Sequence, residues 1–223
     1  MINSPYGPRK PAAVEWRPRW PPPMTDHYYS AVPGTAERRR MINVNLWGRE
    51  VQLITAAGVF SPDGLDRGTA ILLRASPVPE GSPRVLDLGC GYGPIALAVA
   101  LHCPDAQVDA VDVNERALAL CRDNATALRV ADRVRVCRPD DIDPEVRYDE
   151  IWSNPPIRIG KEALHLLLHS WLRRLLPSGI ARLVVGKNLG ADTLQRWLIA
   201  SGYRCERAAS SQGFRVLEIR LPS

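Results

Sequence analysis

Residues 84–102 read RVLDLGCGYGPIALAVALH. Five residues suited to a buried strand run straight into glycines at 89, 91 and 93, and a proline then opens an apolar helical stretch. A strand that turns at once into a helix commits both elements: the helix must cross back over the sheet to which its strand belongs. Repeated along a chain, this unit gives a mostly parallel sheet covered by helices.

The pattern does repeat. Strands are expected at 107–111 (QVDAV), 133–137 (RVRVC), 148–152 (YDEIW) and 180–186 (IARLVVG). Helices are expected at 115–128, 161–176 and 191–202, where apolar residues recur at helical spacing. Two closing strands near 203–208 and 214–220, joined by SSQG at 210–213, suggest an antiparallel hairpin at or near the sheet edge. Upstream, MINVNLWGREVQLIT (41–55) alternates apolar and polar residues on both sides of Trp47-Gly48-Arg49 and reads as a β-hairpin. A turn-rich loop follows, then a helix from about Asp66 with Ile71, Leu72 and Ala75 on one face.

Residues 1–24, rich in Pro and Arg, cannot build a core and are expected to be a disordered or extended arm. Met24, which closes this run, is a candidate alternative start. The rest, 25–223, is expected to be one domain: a hairpin-and-helix extension over 25–76 and an alternating core over 77–223.

Charge is concentrated in the arm. Residues 1–40 carry seven Lys/Arg against Glu15, Asp26 and Glu37, whereas the remaining 22 basic residues nearly balance 21 acidic ones. Such an arm can screen phosphates, or it can simply solubilise. No apolar run approaches ~20 residues, which argues against a membrane span. The five cysteines are odd in number and contain no CxxC pair. That argues against a disulfide framework and a zinc site, and for a reducing cytoplasm. His165 and His169 are four apart on an expected helix without a third ligand, so no metal is expected.

The glycine turn reads GxGxG two residues after Asp87, not the GxGxxG of a dinucleotide site. A carboxylate beside the turn disfavours pyrophosphate and favours a cation. S-adenosylmethionine, with its α-amino group and sulfonium, fits. Asp112 ends the next strand, where an acidic side chain can accept both ribose hydroxyls; its alternative is a charge at a helix start. Asp140 or Asp141, after the third strand of the alternating core, is placed to accept from an adenine amino group, and the choice between them is open. The strand at 148–152 ends in SNPPI (153–157), where two prolines supply no N–H.

Through GVFS (58–61), LDRGT (65–69), VLDLGCGYGPIA (85–96), VDVNERAL (111–118) and SNPPI, the chain resembles the class I S-adenosylmethionine-dependent methyltransferases. Within them it is most similar to the small-type group that methylates guanine N2 of ribosomal RNA. The resemblance implies a Rossmann-like sheet of seven strands, mostly parallel with the last antiparallel, and helices on both faces. It implies cofactor binding by Asp87, Gly89, Cys90, Gly91, Asp112, Val113 and Asn154. It implies catalysis at Asn154, Pro155 and Pro156: the Asn154 side-chain oxygen and the Pro155 carbonyl accept the hydrogens of a planar amine, drawing its lone pair toward the methyl.

The partner implied is ribosomal RNA or a ribosomal subunit, held by Phe60, Ile157, Arg158, Lys161 and Lys187. Ile157 stands where the family carries an aromatic, so Tyr92, Phe60 or Trp152 would have to supply the stacking face. Three other readings are open: transfer to a protein glutamine amide, transfer to a small-molecule amine, and an inactive RNA-binding module.

Overall fold

The computed structural model describes residues 38–222; the expected arm at 1–24 and the first part of the extension lie outside them. A hairpin comes first, β1 (Arg39–Leu46) and β2 (Arg49–Ala56). Its two-residue turn is Trp47-Gly48, both left-handed (φ 48° and 88°), with Leu46 paired to Arg49. This is the turn whose twist matches that of the flanking strands. A tryptophan there is strained. The strain is offset because its indole meets Trp152 and His102 edge-on, at centroid distances of 5.7 and 5.6 Å, and donates to the Leu73 carbonyl.

Helix α1 (Arg67–Ala75) leads into the alternating part: β3 (Arg84–Leu88), α2 (Pro94–His102), β4 (Gln107–Val111), α3 (Glu115–Ala127), β5 (Val134–Cys137) and β6 (Tyr148–Ser153). Then come α4 (Lys161–Leu172), β7 (Leu175–Gly186), α5 (Ala191–Ala200), β8 (Arg204–Ser211) and β9 (Phe214–Arg220). The seven-stranded sheet runs β5-β4-β3-β6-β7-β9-β8, and β9 alone is antiparallel to the rest.

Alternation along the strands sorts side chains to two faces. Val85, Val108, Ala110, Trp152 and Val184 face a core shared with α1, α2, α3 and the hairpin. Leu86, Leu88, Ile151, Leu183 and Leu217 face a second core with α4 and α5. Helix α2 is apolar all round, and residues 94–100 are all buried. The hairpin shares this core: Ile42, Val44, Leu46 and Leu53 are buried in it, worth roughly 1.5–3 kcal/mol each.

Two junctions differ most from the sequence reading. The helix expected over 161–176 stops at Leu172, and the strand expected from 180 begins at Leu175. Pro177 cannot continue a helix, and it disfavours helical backbone at Leu176. Leu175 pairs instead with Tyr148, while buried Arg174 lies over the Trp171 ring at 4.4 Å. At the C-terminal hairpin, Ser210 and Ser211 belong to β8, and the turn is Gln212-Gly213 alone (φ 47° and 82°).

Candidate active site

Strand order reverses between β3 and β6, and the carboxyl ends of both strands open at that point. Open α/β sheets bind ligands at such switch points. The Ser153 hydroxyl donates to the Leu88 carbonyl at 2.6 Å and ties the two ends together. Above them lies a cleft.

The first wall is the glycine turn, and Gly89, Cys90 and Gly91 line the cleft. The N–H groups of Gly89 and Cys90 both donate to the Val111 carbonyl at 2.9 Å, and that of Gly93 to Cys90. A Cβ added at Gly89 or Gly91 meets no atom within 4 Å, so open space lies beside this backbone. Gly93 is different: it is left-handed (φ 97°), and a Cβ there would lie 2.6 Å from Cys121 Sγ. The Cys90 thiol is held far above its usual range by its neighbour Cys121 and by burial.

Asp112 lines the cleft at the end of β4. Each of its oxygens accepts one backbone N–H at 2.9 Å, from Gly91 and from Asn114. A carboxylate offers about four acceptor sites, and the Val113 N–H also bears on this one. Burial pushes its pKa up, against the pull of these N–H groups. Val113, next in the chain, is buried.

Asp87 is fully buried beneath the turn. One oxygen accepts from the Ala96 N–H at 2.9 Å, and Oδ1 has no partner. Burial raises its pKa to about 7, against the Ala96 bond and with help from the Asp112 charge. Asp87 does not itself line the cleft, but an orphaned buried acceptor beneath its glycine wall fits a cationic ligand group.

The second wall is the end of β6. Asn154, half-buried, donates through Nδ2 to Asp66 Oδ2 at 2.7 Å and to Thr69 Oγ1 at 3.1 Å. No described residue donates to its Oδ1. Pro156 (φ −73°, ψ 78°) forms a tight three-residue turn in which the Ile157 N–H reaches the Pro155 carbonyl at 2.9 Å. That carbonyl keeps one lone pair.

The third wall is the loop between β2 and α1, carrying Val59, Phe60 and Ser61. It is pinned by the Asn114 side chain to the Gly58 carbonyl, by Arg116 to Ala57 and by the Tyr92 hydroxyl to Gly64. Phe60 is 40% exposed at the cleft. Trp152 is fully buried, so it cannot stack on a ligand as the sequence reading allowed.

The remaining named residues are not in the lining of the cleft. Ile157 packs against the α4 and α5 core. Arg158 lies in the same short turn, Lys161 begins α4, and Lys187 follows β7; both lysines are exposed. Asp140 and Asp141 are exposed in a single turn after β5. Asp141 folds back to accept the Arg138 N–H, whereas the Asp140 carboxylate takes no bond from a described residue.

His165 stacks on Trp197 at 3.8 Å, and His169 Nδ1 lies 3.3 Å from the Tyr203 hydroxyl. All five cysteines are free and buried. Among the described residues no helix is long and apolar enough to cross a membrane.

Sequence reasoning missed two groups. Asp66 and Thr69 read as a helix start and as part of the LDRGT stretch of the resemblance, with no role assigned, although they hold Asn154. Asn124 read only as a helical position. Its side chain accepts the Ile54 N–H and donates to the Ile54 and Tyr92 carbonyls, clipping the hairpin to α3 and the glycine turn.

Residues 50–218 match the methyltransferase small domain, and the chain belongs to that family. It is 33% identical over 173 residues to the Bacillus subtilis protein YbxB, covering 76% of this chain and 86% of that one. It is 33% identical over 182 residues to ribosomal RNA large subunit methyltransferase G of Pseudomonas syringae pv. tomato, and 34% over 146 residues to ribosomal RNA small subunit methyltransferase C of Citrobacter koseri. Those matches cover 76% and 62% of this chain but only 46% and 42% of the two methyltransferases. The fold is that of the Thermus thermophilus 16S rRNA N2 G1207 methyltransferase, solved with AdoMet and guanosine: TM-score 0.73 at 22% identity, over 85% of this chain and 52% of that one.

Proposed function

We propose that this protein transfers a methyl group from S-adenosylmethionine to an exocyclic amine, and that the amine is guanine N2 of ribosomal RNA. The observation that carries the reading is the state of Asn154. Its amide nitrogen is held by Asp66 and Thr69, and its oxygen accepts from no described residue.

When bound, S-adenosylmethionine supplies a methyl carbon made electrophilic by its sulfonium. Asp112 would hold the ribose, Gly89 and Gly91 would lie along the cofactor, and the unpaired oxygen of Asp87 would take up positive charge at the methionine end. Asp140 is the better candidate for the adenine amino group, because the Asp141 carboxylate is already engaged. Asn154 Oδ1 and the free lone pair of the Pro155 carbonyl accept the hydrogens of the target amine. Such preorganised acceptors favour the pyramidal nitrogen that attack requires. Phe60 offers the aromatic face that Ile157 does not. Arg158, Lys161 and Lys187 are read as phosphate contacts, with the enzyme acting in the cytoplasm on ribosomal RNA or a ribosomal subunit.

The fit of the site and the ribosomal RNA activities named for two relatives support this reading. The test offers the purified protein methyl-labelled S-adenosylmethionine with ribosomal RNA and with subunits from a strain lacking it, followed by digestion to nucleosides. Labelled N2-methylguanosine is expected. Label on no nucleoside, despite measured cofactor binding, overturns the RNA assignment and moves the acceptor to a protein glutamine or a small amine.

A further inference from the structure

The donor capacity of Asn154 is completely used. An amide nitrogen carries two hydrogens, and here one meets Asp66 Oδ2 at 2.7 Å and the other Thr69 Oγ1 at 3.1 Å. The amide therefore has one allowed orientation, since turning it over would set its oxygen against a carboxylate. Asp66 is itself fixed: the same Oδ2 caps α1 by accepting the Thr69 N–H at 2.9 Å.

Gly68 adds an independent observation. It occupies the first turn of α1, where alanine is the better helix former. Yet a Cβ there would lie 2.9 Å from Asp66 Oδ2, 3.1 Å from the Phe214 ring and 3.3 Å from Asn154 Nδ2. The absence of a side chain at Gly68 leaves room for the contact between Asp66 and Asn154.

We propose that Asp66 and Thr69 are positioning residues for the methyl-transfer step: the start of α1 clamps the Asn154 amide so that only its oxygen is presented to the target amine. The proposal rests on reading Asn154 as the acceptor. The carboxylate does more than orient, because a charged partner on Nδ2 draws electron density toward Oδ1 and strengthens it as an acceptor.

Asp66→Ser separates the two jobs of this residue. Serine is as good an N-cap as aspartate, but it is too short to reach Asn154. Its expected effect is a fall in kcat of about 10–100-fold, the range seen when the partner that orients a functional group is removed. KM and cofactor affinity should stay within about twofold, and the melting temperature should be near that of the parent. Asp66→Asn, which keeps the reach without the charge, should recover part of the loss. Gly68→Ala should lower kcat in the same selective way.

Asn154→Ala is measured alongside. If it loses turnover while Asp66→Ser does not, the clamp is wrong and the acceptor reading stands. If Asp66→Ser loses cofactor affinity as steeply as turnover, Asp66 holds the cofactor and the clamp is again wrong. If Asn154→Ala keeps full turnover, the acceptor reading fails and the clamp fails with it.

Discussion

At the end of β3 most of the backbone donors are spent internally: Gly89 and Cys90 on Val111, Gly91 on Asp112, Gly93 on Cys90, and Ala96 on Asp87. At the end of β6, a strand away, Asn154 Oδ1 takes no bond from a described residue and the Pro155 carbonyl has one lone pair to spare. The first end contributes shape and buried negative charge. The second contributes open acceptors. Glycine-rich turns that open helices are commonly read as displays of free N–H groups. Pro94 has no N–H to give and that of Ala96 turns inward to Asp87, which leaves the N–H groups of Tyr92 and Ile95 without a partner among the described residues, so this turn serves largely as a rigid receptacle.

Disabling the receptacle should cost binding, whereas disabling the acceptors should cost rate. Asp112→Ala removes a candidate ribose partner and strands the N–H groups of Gly91 and Asn114. Cofactor affinity should fall by about 10²-fold, from two lost hydrogen bonds to a charged group; calorimetric titration measures it. Gly93→Ala forces a left-handed alanine against Cys121 Sγ. We expect a loss of about 2–4 kcal/mol in stability by denaturant unfolding, from backbone strain and overpacking together.

Asp87 sharpens the contrast through pH. Its folded pKa, about 7, lies above the unfolded value of 3.8. Its contribution to stability is therefore fully present below about pH 4 and is lost as pH rises through about 7. Asp87→Asn should stabilise the cofactor-free protein at pH 8 by ~1–3 kcal/mol, with a smaller gain at pH 5. The same substitution should weaken cofactor binding and flatten its rise between pH 6 and 8, because only the ionised carboxylate attracts an ammonium. A pH-independent affinity in the parent protein would remove Asp87 from the cofactor site. The smallest effect belongs to the candidate phosphate contacts: Arg158→Ala with Lys161→Ala should reduce the salt dependence of RNA binding by about one to two charges. An unchanged slope would make these cations solvated surface.

Much of the fold was legible because the chain punctuates itself. Pro94 and the glycine triad mark the boundary between β3 and α2, and Asn114 caps α3 through the Arg116 and Ala117 N–H groups. The α4–β7 junction was not legible, since LRRLL continues an apolar helical rhythm until Pro177 breaks it. In the site, Asp112 and Asn154 announce themselves by standing at strand ends. Their partners do not. The residues that hold Asn154 lie 85 and 88 positions away, and a D-x-x-T at a helix start has a sufficient local explanation in its cap. The Arg182 guanidinium, buried between Glu150 and Glu218 over the Trp152 ring, was invisible for the same reason: its partners come together only when three strands align.

The division of labour between the two strand ends is tested most directly by one pair of measurements on Asn154→Ala: cofactor affinity by calorimetry, and single-turnover methyl transfer to ribosomal RNA. The structure predicts an affinity within about twofold of the parent, with a rate lowered by roughly 10²–10³, the loss expected when a preorganised polar group is removed from a reacting centre. Parallel loss of both would show that Asn154 maintains the pocket and presents nothing to the amine.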